Sequence, residues 1–521
     1  RRAFITDRHP ERVNLTVGKV QAGEPFPLKA NFALDSVQPV LHANLGLAAT
    51  VIAVPAAQQY RLANGTLEIN ARGAGLPVQP THVASKWQTL TVDLGAGTFA
   101  LDSLTLKTLG LEADATLKGN GLNAAPRITG NVEVPDFAPR TVLEKMGHRL
   151  QPQDPKVLRH ASLSADIDAS RTGAMLQNVA MTLDDTHING QIGIKSFKTG
   201  ALTFALSADA LDADRYLPAV VSKAGKVAQP TSFDHMRLPA EKLRGLNVDG
   251  RLTVGSFKLL NLKASNISLG IAAANGEATL NPLSAQLYGG TYSGSIKAAA
   301  VGKAMKLVVD QRLAKVELGP LINDFLGKKL ISGTADLNIA FNGAGDTVGA
   351  LKQTLDGKFG FDIKRGAVDG IDLWSAIRRA YAVIKHQPAP KQTGPEKTEF
   401  VALNGNGVIH HGVLDDKTLI ADLPFMRIDG HGSIDLVRQS VDYRLNAKII
   451  KIPEIDNRGD LAKIKGKTVP IHIEGDFNNL TAFPDLADLL KQRLEDKLKS
   501  KLKDKLKGLF NPPRPLAGGV R

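Results

Sequence analysis

The residues of this chain that could carry chemistry are few, and their spacing suits none of the common reactions. His410 and His411, with His431 and His472, are side chains of the kind that bind zinc. Successive residues on a strand point to opposite faces, so His410 and His411 cannot easily share an ion and read as surface histidines. Gly466-Lys467-Thr468 ends like a phosphate-binding loop, in which backbone N–H groups and a lysine cradle the phosphates. The upstream glycine is Gly459, off the required spacing, and a strand follows instead of a helix. Asp184-Asp185 and Asp415-Asp416 are carboxylate pairs, but both fall at expected turns, where aspartate is ordinary. No H-E-x-x-H, no G-x-S-x-G and no strand-borne G-x-G-x-x-G occurs. The absence of cysteine excludes structural disulfides and thiolate zinc sites. Carboxylates that meet only in the fold stay open as a hydrolytic pair, and nothing in the spacing favours one. The residues point to a protein that is not an enzyme and uses no metal or cofactor.

The elements beneath these residues are strands. From Leu246 to Gly294 apolar and polar residues alternate, with Leu252 and Val254, Leu260 and Leu262, then Ile267 and Leu269 in phase. Gly250, Gly255, Asn275-Gly276, Asn281-Pro282 and Gly289-Gly290 punctuate the runs. This is the pattern of an antiparallel meander with one apolar face. Similar strands are expected from Val13 to Val134, from Ala161 to Ala208, at Ile331–Phe341 and Gly357–Lys364, from Val401 to Ile449, and from Val469 to Phe477. A short helix is expected at Pro139–Leu150 and a turn or two at Leu318–Leu326. Ile371–Ile384 is an amphipathic helix with Ile371, Trp374, Ile377, Ala380, Tyr381 and Ile384 on one face, which makes Trp374 a core residue. Residues 218–242 have no period and read as a loop, and the Pro-rich segment after Lys385 reads as disordered.

Composition agrees with an all-β chain: 49 glycines, 43% apolar residues and only 5% aromatics. Two tryptophans and six tyrosines are too few for the aromatic girdles of a membrane barrel. The net charge of +14 suits an anionic partner such as a phospholipid surface. Nucleic acid is not expected, because no aromatics are interleaved with the basic residues. No run of 18 apolar residues is present, so no transmembrane helix is expected. The chain opens at Arg1-Arg2 without methionine, which reads as an N-terminal anchor or signal removed.

Six segments in order resemble the AsmA family of Gram-negative envelope proteins: LDADRYLP (211–218), LYGGTYSG (287–294), FDIKRGAVDGIDL (361–373) with the helix after it, MRIDGHGSIDLVRQSVDYRL (426–445), and VPIHIEGDFNN (469–479) followed by PDLADLL (484–490). The resemblance covers about residues 205–490; residues 1–200 share only the style. It implies a mainly β fold: a long, twisted antiparallel meander curled into an elongated groove, with a few short helices. It implies a bridge-type carrier of phospholipid that supports outer-membrane biogenesis, in the periplasm and held to the inner membrane by an N-terminal helix missing from this chain. The implied organisation is an N-terminal groove part at 1–217, a linker at 218–242, a C-terminal groove region at 243–483, a basic helix at 484–510 and a disordered tail at 511–521. Phospholipids, bacterial membranes, and outer- or inner-membrane proteins are the implied partners.

The groove candidates are the in-phase apolar residues: Leu252, Val254, Leu260, Leu262, Ile267 and Leu269, then Leu337, Ile339 and Phe341, Phe359, Phe361 and Ile363, Ile434 and Leu436, Tyr443 and Leu445, Ile471 and Ile473. Alternation alone does not distinguish a filled core from an open trough. In the tail, leucines recur every fourth residue from Leu486 to Leu506, so the stripe drifts about 40° per step and winds around the helix. Lys491, Arg493, Lys497, Lys501 and Lys505 fill the other face, as in a helix that touches an anionic membrane or caps the groove. A solvated helix packed on the sheet end is equally compatible. The alternative to a lipid carrier is an assembly factor for outer-membrane proteins that works through exposed sheet edges. A β-helix passenger is disfavoured by the two helices.

Overall fold

The computed structural model describes residues 8–484, apart from 38–39, 74–75, 77, 219–232, 385, 389–393, 455–459 and 478. Twenty-five strands are described, and the chain divides into two units. The first comprises Arg1–Thr231, Pro239–Leu287 and Ser293–Ala300; the second comprises Ser232–Leu238, Tyr288–Tyr292 and Val301–Arg521. Among the described residues no helix is long and apolar enough to cross a membrane, which says nothing of strands. The expected tail helix lies outside the described residues except for Pro484, which ends the strand Asn479–Pro484 instead of opening a helix.

In the first unit the strands from Arg8–Val17 to Glu277–Leu287 pair with their chain neighbours, antiparallel but for one pair. Ala201–Asp212 and Val248–Leu259 run parallel, a departure from the expected unbroken meander. Parallel neighbours need a crossover of a dozen residues or more, and residues 213–247 supply it. That stretch is not wholly loop: its described parts hold a 3-10 turn at Phe233–His235 and the helix Ala240–Gly245. The helix Pro139–Lys145 is shorter than expected, and Gly147 at φ 82° follows it.

Register makes the apolar face continuous. One row of directly opposed residues runs Phe26, Val51, Leu62, Leu90, Leu101, Leu117, Gly130, Ile167, Leu176, Ile192, Phe204, Gly250, Ile271, Leu280. It crosses fourteen strands, on the order of 60 Å at ~4.8 Å per step. A parallel row runs Tyr60, Val92, Phe99, Gly119, Ile128, Ala169. One residue out of phase, the opposite face carries Arg61, Thr91, Lys118, Thr129 and Asp168.

In the second unit nine strands, from Ala304–Glu317 to Asn479–Pro484, pair antiparallel in chain order. Their rows also match: Val309, Phe341, Gly357, Ile409, Leu414, Ile434, Val441, Gly475, Leu480 form one. Helix Leu373–Ile384 starts where the Asp372 carboxylate accepts from the Ser375 N–H at 2.9 Å, an N-cap bond. Helix Leu318–Leu326 stops at Gly327, φ 67°. The helix Val348–Gln353, capped by Thr347, and the last strand carry too short a pattern to have been expected.

Candidate functional site

Both units present an apolar sheet face, and the two faces differ in what covers them. In the first unit Leu62, Leu90, Leu101, Leu117, Ile167, Leu176, Ile192 and Phe204 are all half-buried, not sealed. Its described α-helices, of 7 and 6 residues, are about 10 Å long, too short to roof the face. In the second unit helix Leu373–Ile384 seals part of the sheet. Leu373 and Ile377 enter a fully apolar cluster with Ala421, Met426, Ile428, Leu445, Ala447, Ile449, Ile464, Val469 and Ile471. Trp374 and Tyr381 are half-buried against it, and the Trp374 ring lies 6.2 Å from that of Phe425. Beside this seal lies a cavity of about 380 Å³. Phe361, Val368, Ile371, Phe400, Leu403 and Leu419 line it, with Leu423, Ile434, Val441, Tyr443, Ile473 and Leu480. No charged side chain takes part.

The floor is kept level by aromatic rings lying flat over glycines on the next strand. A Cβ on Gly65 would strike the Trp87 ring, one on Gly119 the Phe99 ring, and one on Gly432 the Tyr443 ring. Such pairs give an aromatic its burial without a side chain standing up from the sheet. Asp416 lies in one row with Gly407 and Gly432, and is 0% exposed. Its Oδ1 accepts from the Thr418 N–H at 2.9 Å, and the Tyr443 hydroxyl reaches Oδ2 at 3.5 Å. Burial holds the Asp416 carboxyl above the ordinary range, and burial with this carboxylate pushes the Tyr443 phenol far up. Asp415 and Asp416 thus belong to the strand Val413–Asp422, not to a turn. The sheet is bulged between Asp416 and Leu419, and again between Asn404 and Gly407.

The candidate residues are placed as follows. Leu252 opposes Leu269 and Val254 opposes Ile267, on the face of Gly250 and Ile271. Leu260 stands in a turn at 53% exposure, and Leu262 opposes Leu259. Leu337 opposes Phe361, Ile339 opposes Phe359, and Phe341 opposes Gly357. Phe361, Ile434, Tyr443, Leu445 and Ile473 line the cavity. Ile363 is buried with Leu318, Ala335 and Phe400, and Ile471 is buried in the cluster that holds Leu373 and Ile377. Leu436 follows the strand Met426–Asp435 and donates its N–H to the Gly412 carbonyl. Lys491, Arg493, Lys497, Lys501 and Lys505 lie outside the described residues.

Leu403, Leu419, Ala421, Leu423 and Ile428 were not picked out by alternation; bulges at Asn404/Gly407 and Asp416/Leu419 break the phase around Leu419 and Ala421. The glycines Gly405, Gly407 and Gly432, opposite Phe361, Phe359 and Tyr443, are the signal that marks this floor. His410 and His411 do converge: their Nδ1 atoms lie 3.4 and 3.6 Å from Asp356 Oδ1, because His411 is in a turn at φ 51° and not on the strand. Among the described residues no group of three or more His, Cys, Asp or Glu is placed to hold a metal.

LDADRYLP closes a polar knot in the first unit. Asp214 accepts from the Leu260 and Asn261 N–H groups, and Arg215 bridges Asp154 at 2.8 Å and Asp185 at 2.6 Å. Asp184 accepts from the N–H groups of Leu158, Arg159 and His160 and from the Tyr216 hydroxyl, which hold its carboxyl below the usual range despite partial burial. These residues fasten the start of the crossover.

Compared with protein families, residues 84–419 match the AsmA family. The match takes in strands from 84 onward that share only the general style in the sequence, and it stops before the 426–445 block. Comparison with curated proteins finds no match.

Proposed function

The chain belongs to the AsmA family, and from that premise we propose that it shields and conducts phospholipid between the inner and outer membranes along its apolar sheet face. The family is envelope-associated and is not a known enzyme family. The observation that carries the reading is the apolar row of the first unit, continuous over fourteen strands and half-buried from Leu62 to Phe204. A lipid in water exposes its acyl chain at about 0.8 kcal/mol per methylene, so a chain of ~16 carbons costs on the order of 13 kcal/mol. A continuous apolar face removes most of that cost without any site chemistry, and a level floor avoids local wells that would trap the cargo. Periplasmic location, inner-membrane anchoring and contact of the basic tail (Lys491, Arg493, Lys497, Lys501, Lys505) with anionic membrane belong to the same proposal.

The test is organic extraction of the purified chain followed by mass spectrometry against a matched control protein. Several phospholipids per chain support the conduit. A folded, lipid-free protein overturns it. One observation favours a second reading, an assembly factor for outer- or inner-membrane proteins. Among the described residues the strand Arg8–Val17 pairs on one side only, and its Val13 and Leu15 are 60% and 61% exposed. That edge suits addition of a partner strand. Capture of unfolded barrel segments with no lipid in the extract selects this reading.

A further inference from the structure

The cavity of the second unit is walled more tightly at one end than at the other. Ile428 and Ile434 both line it, six residues apart on one strand, so it runs about 20 Å along the strands. At the Ile428 end, Leu373 and Ile377 of the helix pack into sealed apolar contact with Ala421. At the Ile434 end the neighbouring wall is Leu480, 40% exposed, and the turn after Asp435 carries Arg438, whose side chain is 84% exposed.

The wall also restricts what can enter. Its two hydroxyls are engaged: Thr398 Oγ donates to the Ile371 carbonyl and accepts from the Leu373 N–H, and the Tyr443 hydroxyl reaches Asp416. An inserted peptide or sugar would leave its own polar groups without partners, a penalty that an alkyl chain does not incur. The volume of about 380 Å³ suits the methylenes of one acyl chain and not of two, and the depth suits its length. One leaflet of a bilayer, a single acyl chain deep, is about 15 Å, half of the ~30 Å hydrocarbon core.

Building on the lipid-carrier reading, we propose that this cavity is a one-chain stop: a single acyl chain enters at the Ile434 end and halts with its methyl terminus against Leu373. Its headgroup stays outside, beside the turn that carries Arg438.

Trp374 sits on the sealing helix, and the only other tryptophan is Trp87. In a Trp87→Phe variant, Trp374 fluorescence therefore reports the tighter end. The probes are phosphatidylcholines with one acyl chain dibrominated either near its methyl terminus or near its carbonyl. Quenching several-fold stronger for the methyl-end probe is expected. Equal quenching, or stronger quenching from the carbonyl side, overturns the one-chain stop even when extraction shows bound lipid, so the carrier reading survives. No quenching with lipid present in the extract places the lipid elsewhere and also overturns the stop. No quenching and no extractable lipid sinks the carrier reading itself. Should Trp87 be needed for folding, subtracting the signal of a Trp374→Phe variant from that of the native chain gives the same comparison.

Discussion

Ile192 lies in the middle of the first unit's apolar row, opposed by Leu176 and Phe204. Ile192→Asp is expected to slow phospholipid transfer by on the order of a hundredfold. The new carboxylate keeps its water, so methylenes lying over it lose their apolar contact. Three or four methylenes at about 0.8 kcal/mol each give a barrier of roughly 3 kcal/mol. At ~1.4 kcal/mol per decade, that is about two decades in the occupancy of the step. The cost to the fold is smaller, because Ile192 is already half-exposed; loss of its burial is worth about 1.5 kcal/mol. The assay follows a fluorescent phospholipid from donor to acceptor vesicles in the presence of purified chain, with the unfolding midpoint as the check on folding. Gln191→Asp is the matched control. It adds the same charge one residue away, on an exposed position of the opposite face. Wild-type transfer by a folded Ile192→Asp variant, or equal damage from Gln191→Asp, would refute the argument that one face carries the cargo.

Three further outcomes follow from local packing and electrostatics. Gly432→Ala would drive a methyl into the Asp442 carbonyl and the Tyr443 ring and should destabilise the second unit by about 1–3 kcal/mol in urea titration; a neutral result means that strand and ring both shift freely. Asp416→Asn should raise the unfolding midpoint relative to wild type progressively as pH rises above the ordinary carboxylate range. A folded pKa held above the unfolded value of ~3.9 means that the native state binds the proton more tightly, so the contribution favours folding in acid and is lost as pH rises through the raised value. The amide keeps an acceptor for the Thr418 N–H, and a pH-independent gap between the two proteins would sink the burial argument. Asp214→Ala frees two backbone N–H groups and should cost about 2–3 kcal/mol by chemical denaturation, whereas Asp249→Ala, at an exposed ion pair with Lys195, should cost under about 1 kcal/mol.

The sheet was legible because a period of two is a local property. Leu252 with Val254 and Phe359 with Phe361 announce their common face without reference to any partner strand. Bulges defeat the same logic: past Asp416 the phase shifts, and Leu419 and Ala421 escape notice although they share the floor. Asp416 looked like a turn residue because aspartate is common there, and only register places it in an apolar row. The parallel pair at Ala201–Asp212 was invisible because the crossover between its strands has no period. Whether a face is covered is not written in alternation at all. It depends on the lengths of the helices that reach it, and those are settled only by packing.

Coverage separates a filled core from a surface that awaits an occupant. The second unit shows what this sequence does when it fills a face: under the helix, Ile428, Ala447 and Ile449 fall to 2%, 0% and 0% exposure. The first unit places the same kinds of residue in the same kind of rows and leaves them half-open. Taking three rows about 7 Å apart and roughly 60 Å long, the uncovered face is on the order of 1,000 Å². Soluble monomers rarely present a contiguous apolar patch above about 300–600 Å². The mismatch is not scattered surface hydrophobicity, because Arg61, Lys118 and Asp168 all sit on the other side of the same strands. A sequence that can sort its charges to one face over fourteen strands could also have placed a helix over the other. The first unit's open face is therefore what the proposed carriage of an apolar, extended ligand along the row requires.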